Sequence, residues 1–564
     1  MIATKKQQAE LAHHQGDWEQ AKNRYEQYLK KNHHDADTLH ALGIVYAHLK
    51  QFNQAKAKIS AAIQINPHQF TYHNSLGNIA LATQNYTDAE TAYKKSIKLN
   101  STYAIAYNNL GNVYYYQKKY IAAARAYEKA IALKSDYADV YCNLGILQTH
   151  LSHDADAIMN LEKSLQYHPN FLKAQAQLAN LYLRNAEYAK ARDLFLQCNA
   201  AFPNHIDFLH DLGVAYFHLR DFEKAKTMFE AVLMQDYKHI EVNQYLANTF
   251  LELGEHEKAL HYYYRQLEIQ PLYEAYYNVG VLLMMRERHK DALIYFKKAL
   301  TLNPDDVAAE LNCGHLYLKH GEHENAILHY QKANALKPND SEIQHILSAL
   351  TQQETAAQAP DSYVSHLFDQ YAPYYDKHLQ DYLKYTVPTT LLNAIELEFP
   401  MLDEKSLRIL DLGCGTGLCG SLFKPYAKEL IGIDLSENML AVAKQKQCYD
   451  KLIEADVIST LASYHALDLI IAGDVLPYFG DLSQLFYAVH QSLIVNGLFI
   501  FTVEKTHESD FILQKTIRYA HRREYLLANA IQFHFDVLRL ENITLRQQKN
   551  DVIDGYLVLL KKPT

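Results

Sequence analysis

The sequence predicts an α-helical solenoid followed by a doubly wound α/β domain, and three observations support that fold class. Small residues recur through the first part of the chain at a fixed step: Gly43, Gly77, Gly111, Gly145, Ala179, Gly213, Ala247, Gly280 and Gly314 lie 34 residues apart, with one step of 33, the mark of a repeat array. That periodicity stops at TQQETAAQAPDS, residues 351–362. Beyond it, short apolar runs closing in acidic residues alternate with helical segments, as a parallel sheet with crossover helices requires.

Within each repeat the small residue follows an apolar one (Leu42, Leu76, Leu110, Leu144, Leu178, Leu212, Leu246, Val279). Twelve positions on stands an unbroken alanine series: Ala55, Ala89, Ala123, Ala157, Ala191, Ala225, Ala259, Ala292 and Ala326. A bulky residue such as Tyr93, Tyr127, Phe195, Phe229, Tyr263 or Tyr330 comes four later. Small residues belong where helices touch, and Pro67, Pro169, Pro203, Pro271, Pro304 and Pro338 fall just past helix ends. The pattern closely resembles the tetratricopeptide repeat (TPR), a helix-turn-helix unit. With Trp18, Ala21 and Tyr25 opening the series, about ten repeats are expected in a solenoid over 1–350, the amphipathic stretch Ser341 to Leu350 capping its last face.

In TPR proteins the first helix of each pair lines a concave surface. The positions expected there are rich in asparagine: Asn74, Asn78, Asn108, Asn109, Asn112, Asn143, Asn180, Asn248, Asn278 and Asn312. An amide both donates and accepts, so such a row can hold the backbone of an extended protein or peptide partner; a solvated face is the competing reading. The resemblance to the asparagine ladder of O-GlcNAc transferase is partial. His40, Asn74 and Asn108 stand where chaperone-binding TPR domains carry the basic residues that hold a C-terminal carboxylate, so no chaperone tail is expected. The many histidines lack paired metal-ligand spacing, and no metal is expected.

Residues 351–362 read as a linker, with Pro360 marking the boundary of a second domain, 363–564. That domain opens with YVSHLFDQYAPYYDKHLQDYLKYTVP, whose F-D-x-Y-A-x-x-Y-D core is similar to the first helix of several class I methyltransferases, among them the malonyl-carrier-protein, quinone and trans-aconitate types. The resemblance implies that Tyr371 and Tyr375 cover a cofactor, an aromatic face suiting a sulfonium cation; helix packing would explain them equally well.

The run LRILDLGCGTG, Leu407 to Gly417, ends an apolar strand in Asp411 and three alternating glycines, Gly413, Gly415 and Gly417. Glycine permits a sharp turn and lets a ligand approach the backbone. A dinucleotide fingerprint would need glycine at position 418, where Leu418 stands, so NAD is not expected. D-x-G-x-G-x-G instead resembles motif I of class I S-adenosylmethionine (SAM)-dependent methyltransferases. Seventeen residues after the last glycine, Asp434 closes a second apolar strand, with Leu435 beside it. The resemblance implies that SAM is the cofactor, that Asp434 takes its ribose hydroxyls, that Asp456 and Val457 meet its adenine, and that Asp474 and Leu476 face the methyl donor or the acceptor.

The fourth strand, Leu467 to Ala472, leads into GDVLPYF and not into the N-P-P-Y or D-P-P-Y of amide and adenine N-methyltransferases. Helix Leu482 to Ile494 is expected to end at Asn496-Gly497, with Leu498 to Val503 the fifth strand. Phe533 to Leu540 and Tyr556 to Leu560 are expected to complete a Rossmann-like, seven-stranded sheet, and RYAHRREYL, between the fifth strand and this pair, reads as a basic helical segment. Tyr478, Glu504 and His521 are the candidates for a catalytic acid or base. The whole layout resembles TPR-containing methyltransferases related to trans-aconitate methyltransferase.

A net charge of -9 and a pI of 6.4 argue against a nucleic-acid binder. Six cysteines without C-x-x-C pairing read as reduced thiols. MIATKKQQAELAHHQ lacks the apolar core of a leader and no long apolar run follows, so neither secretion nor membrane insertion is expected and the location reads as cytoplasmic. Two functions fit: a methyltransferase whose arm recruits a protein or peptide substrate or partner, and a small-molecule carboxylate O-methyltransferase whose arm only docks it to a complex. A scaffold that binds SAM without turnover is disfavoured by the intact glycines and Asp434.

Overall fold

The computed structural model describes residues 5–353, 356–381, 383–400, 403–548 and 551–564. The chain divides into two compact units, Met1–Pro271 and Leu272–Thr564. Ten helix pairs run from Lys5–His14 with Trp18–Leu29 to Val307–Lys319 with His323–Leu336. The spacing of small residues explains how each pair closes. A Cβ on Gly111 would stand 2.5 Å from the ring of Tyr127, and one on Gly77 2.6 Å from that of Tyr93, so glycine lets the bulky residue sixteen positions on fill the space between helices. All nine alanines of the series are fully buried. The turn inside each repeat uses one left-handed residue, among them Lys50, Gln84, Lys118, Ser152, Ala186 and Arg220. Glu287 is a seventh non-glycine residue there and Gly16, Gly254 and Gly321 serve the other three repeats, so glycine marks only some of these turns in the sequence.

The second unit holds the last two helix pairs, the capping helix Ser341–Thr351 and a nine-stranded sheet. Its strands are β1 (Leu407–Leu412), β2 (Ala427–Asp434), β3 (Lys451–Glu454), β4 (Leu467–Ala472), β5 (Leu493–Lys505), β6 (Phe511–Leu513), β7 (Tyr519–His521), β8 (Asp536–Gln548) and β9 (Asp551–Lys561). β3-β2-β1-β4-β5 run parallel; β9 joins β5 antiparallel, and β8 joins β9. These seven strands form the expected sheet. Leu410, Leu412, Ile431, Ile433 and Ile470 pack on one face, Ile409, Leu430, Leu469 and Ile471 on the other. Burial on both faces is why the strands read as unbroken apolar runs.

Three readings of the sequence need correction. RYAHRREYL is not one helical segment: β7 spans Tyr519–His521 and a helix follows at Arg523–Gln532. Helix Ser483–Ser492 stops before Ile494, because Leu493 already pairs with Leu467, and Asn496, with φ 68°, sits inside β5. The short hairpin of β6 and β7 was not foreseen. It adds to the end of β5 through Glu504↔Ala520 and Lys505↔His521.

Candidate active site

A cavity lies where β1, β2 and β4 end. That is the crevice in which open α/β sheets bind ligands. It brings together Gly413, Gly415, Asp434, Leu435, Asp456, Val457, Asp474, Tyr375 and Tyr478 of the residues anticipated from sequence. Gln358, Ala359, Asp361, Val364, Phe368, Gly473, Val475 and Phe479 also line it.

One end is built from backbone. Gly413, Gly415 and Gly417 all have positive φ (58°, 52° and 87°), which L side chains rarely adopt. A Cβ on Gly413 would meet Val475 at 2.4 Å, whereas nothing lies within 4 Å of one on Gly415. Gly413 is therefore needed for packing, and Gly415 leaves an open cradle. Asp434 accepts from the Gly415 N–H at 2.8 Å through one oxygen and from the Ser436 N–H at 2.9 Å through the other. Each oxygen keeps a lone pair, and desolvation holds the carboxyl above its ordinary pKa. Asp456 accepts from Ser459 N–H at 2.8 Å and so caps the next short helix while facing the cavity.

Asp411 and Gly417 stand behind this wall. Asp411 is buried, and desolvation pushes its pKa up to about 7, opposed by the hydrogen bond it accepts from the Tyr449 hydroxyl at 2.6 Å. Tyr449, which sequence reading did not single out, fills the space left by Gly420 and Gly432. Leu476 is fully buried in the core and does not reach the cavity.

The opening helices are latched by the two aspartates of F-D-x-Y-A-x-x-Y-D. Asp369 accepts from Ser436 Oγ at 2.5 Å and from the Asn438 N–H at 3.3 Å; Asp376 accepts from Thr416 Oγ1 and lies 2.6 Å from Lys446 Nζ. Tyr375 lines the cavity, while Tyr371 lies behind it, edge-on to Tyr375 at 4.9 Å and bonded to His378.

The other end is charged. Asp474, a non-glycine residue with φ 61°, holds its Oδ1 2.6 Å from Arg518 Nη2 and 3.3 Å from Arg546 Nη1. Glu504 Oε1 is 2.5 Å from Arg546 Nη2 and 2.8 Å from Arg518 Nε, although that N–H is not aimed along the contact and finds no hydrogen-bond acceptor. Arg518 also donates to the Tyr478 hydroxyl at 3.4 Å. Of the three acid-base candidates, Tyr478 alone lines the cavity, and desolvation raises its pKa. Glu504 is enclosed by the two arginines. His521 is fully buried on β7, meets Gly480 O at 3.0 Å, and is pushed down to about 4 by desolvation.

On the repeats, the anticipated asparagines are less uniform than a solvent-facing row. Asn74 and Asn108 are buried. Asn109 donates to Asn74 and to Asn78, both at 3.1 Å, and Asn143 donates to Asn108 at 3.0 Å. Asn78, Asn112 and Asn248 accept from the core hydroxyls of Tyr93, Tyr127 and Tyr263. Asn312 donates to Tyr277, Asn278 is half-buried and Asn180 is exposed. Repeat-to-repeat bonding therefore takes up much of the amide capacity. Among the described residues no cluster of metal-ligating side chains occurs, and no helix is long and apolar enough to cross a membrane.

Residues 410–501 match the family model of a methyltransferase domain. Tetratricopeptide repeat models match 12–79, 186–248, 240–271, 273–306 and 311–340, and a TPR repeat model matches 77–118 and 111–149. The chain is 32% identical over 128 residues to a malonyl-[acyl-carrier protein] O-methyltransferase of Legionella pneumophila, covering 21% of this chain and 45% of that protein. It is 33% identical over 122 residues to a Saccharomyces cerevisiae protein named a probable S-adenosylmethionine-dependent methyltransferase, covering 20% and 40%. The chain thus spans less than half the length of these relatives. A tetratricopeptide repeat protein from Parabacteroides merdae aligns over 44% of this chain and 99% of its own at 19% identity and a TM-score of 0.33. Repeats and sheet together place the chain as a tandem of tetratricopeptide repeats and a class I methyltransferase domain.

Proposed function

We propose that this protein transfers a methyl group from S-adenosylmethionine to a carboxylate oxygen, on an acceptor that its repeat array recruits as part of, or together with, a protein partner. The observation behind this reading is the division of the cavity into a backbone cradle at one end and, at the other, an arginine-backed wall without a free base. Gly415 would let the cofactor approach the backbone, Asp434 would accept from its ribose hydroxyls, and Asp456 would meet its adenine. When bound, SAM supplies an already activated methyl group. The protein's own share is then alignment and exclusion of water.

The acceptor class follows from what the far wall lacks. An amine or alcohol must lose a proton, and general-base catalysis needs a group of matched pKa within reach. Tyr478 is held protonated, Asp474 and Glu504 are occupied by arginines, and His521 is walled off. A carboxylate is nucleophilic without deprotonation. Arg518 and Arg546 neutralise Asp474 and Glu504, so this wall has no net negative charge to repel a carboxylate. The relatives named malonyl-[acyl-carrier protein] O-methyltransferases support an acid presented on a protein and so join recruitment to small-acid chemistry.

The test is transfer from methyl-labelled SAM to malonyl-pantetheine and, separately, to native lysate, followed by mild alkali. Label that is released as methanol supports a carboxyl ester. Alkali-stable label would reject the carboxylate class while leaving methyl transfer in place.

A further inference from the structure

The capping helix Ser341–Thr351 does not end the repeat array on solvent. Ala349, fully buried, shares an apolar cluster with Leu513, Ile517 and Tyr519 of the β6-β7 hairpin, with Ile346 and Tyr363 packed against it. Gln352, whose left-handed backbone (φ 54°) stops the helix, donates from Nε2 to Leu513 O at 3.2 Å. The ring of His345 lies 6.0 Å from that of Tyr519, and the Tyr519 hydroxyl donates to Ala356 O at 2.7 Å. The chain that leaves this helix then enters the cavity wall: Gly480 and Asp481 N–H both donate to Ala357 O (2.8 and 2.9 Å), and Ala359 N–H donates to Tyr478 O at 2.8 Å.

Between Ile517 and Tyr519, which meet the capping helix, stands Arg518. Arg518 itself turns to the active site, its guanidinium 5.3 Å from the centre of the Tyr478 ring and 2.6 Å from Asp474. The hairpin is short, and beyond the capping helix it rests on Gly480 and Tyr525. Its ladder is three residue pairs long, and it joins β5 through two more, whereas a short two-stranded hairpin is marginal alone.

We propose that the capping helix is a positioning element of the acceptor site: it holds the β6-β7 hairpin so that Arg518 stays on Asp474 and Tyr478. The last helix of the solenoid is then part of the acceptor wall, and whatever displaces it is felt at Arg518. This rests on the acceptor end of the cavity as assigned above.

The test uses the full chain labelled with 15N-arginine, the Arg518 Nε–H signal being identified by its loss in Arg518→Lys. Two variants loosen the seam: Gln352→Ala, which removes the hydrogen bond across to Leu513 O together with one inside the capping helix to Ala349 O, and Ala349→Leu, which crowds the apolar cluster. In both, amide exchange over 511–521 should quicken by about tenfold or more, and the Arg518 signal should shift or broaden. SAM affinity should stay within about threefold, because the cradle of Gly415 and Asp434 is untouched. Unchanged hairpin exchange in Gln352→Ala would overturn the proposal, as would faster hairpin exchange with an unmoved Arg518 signal. Failure of the unmodified chain to bind SAM would count against the methyltransferase reading alone.

Discussion

Asp434 is the residue on which the cofactor end depends, since its carboxylate both orders the Gly415 and Ser436 N–H groups and faces the cavity. Asp434→Ala should weaken SAM binding by on the order of 2 kcal/mol or more, with circular dichroism unchanged; an unaltered dissociation constant in a folded variant would show that another group holds the ribose. Asp411 has a different signature. Its pKa is raised from 3.8 to about 7 in the fold, chiefly by desolvation, so between those values the unfolded chain has already lost the proton that the folded chain keeps. Stability contributed by this group is full below about pH 4 and is lost as pH rises toward about 7. In Asp411→Asn the amide oxygen can still accept from Tyr449. The variant's urea midpoint should gain on the parent's across that window and run parallel to it outside; a constant offset at all pH values would refute the assignment. Asp434 was legible in the sequence because a strand-ending acid at a fixed distance from the glycines has few other uses. Tyr449 was not, since its role appears only when the segment between β2 and β3 folds back over Gly420 and Gly432.

Among elements, the repeats were legible because their packing is local: each small residue is answered by a bulky one sixteen positions later. Gly111→Ala should therefore cost about 1–3 kcal/mol of stability, a Cβ there standing 2.5 Å from Tyr127, and a thermal melt of the full chain would read it. The β6-β7 hairpin was not legible, because strands of three residues show no periodicity and hold their place by contacts distant in sequence. The asparagine row divides along the same line. Asn74 and Asn108 are buried and bonded to neighbouring repeats, so removing them would disturb the array itself. Asn109 and Asn143 are the donors of those bonds, so exposed Asn180 is the one to change if a peptide lies there: its replacement by alanine should raise the Michaelis constant for a protein acceptor, one contact contributing roughly 1 kcal/mol, and leave SAM affinity as it was. An unchanged Michaelis constant would favour an arm that only docks.

At the scale of the whole molecule the chain separates after Pro271, and the final helix pairs fold with the sheet. A composition shift marks residues 351–362 clearly in the sequence, yet residues 356–359 bond to the loop after β4 and to Tyr519; pairing between segments distant in sequence leaves no signal in composition. A fragment of 272–564 should accordingly fold and bind SAM, whereas one of 363–564 loses the wall residues Gln358, Ala359 and Asp361 and uncovers Leu513, Ile517 and Tyr519. Equal SAM affinity and melting temperature for the two fragments would show that the preceding helices are dispensable to the site. The central claim is that the cavity at the ends of β1, β2 and β4 holds S-adenosylmethionine, and calorimetric titration of the full chain tests it most directly. SAM and S-adenosylhomocysteine should bind one per chain and NAD should not, while absence of SAM binding, or NAD binding of comparable affinity, would contradict the account.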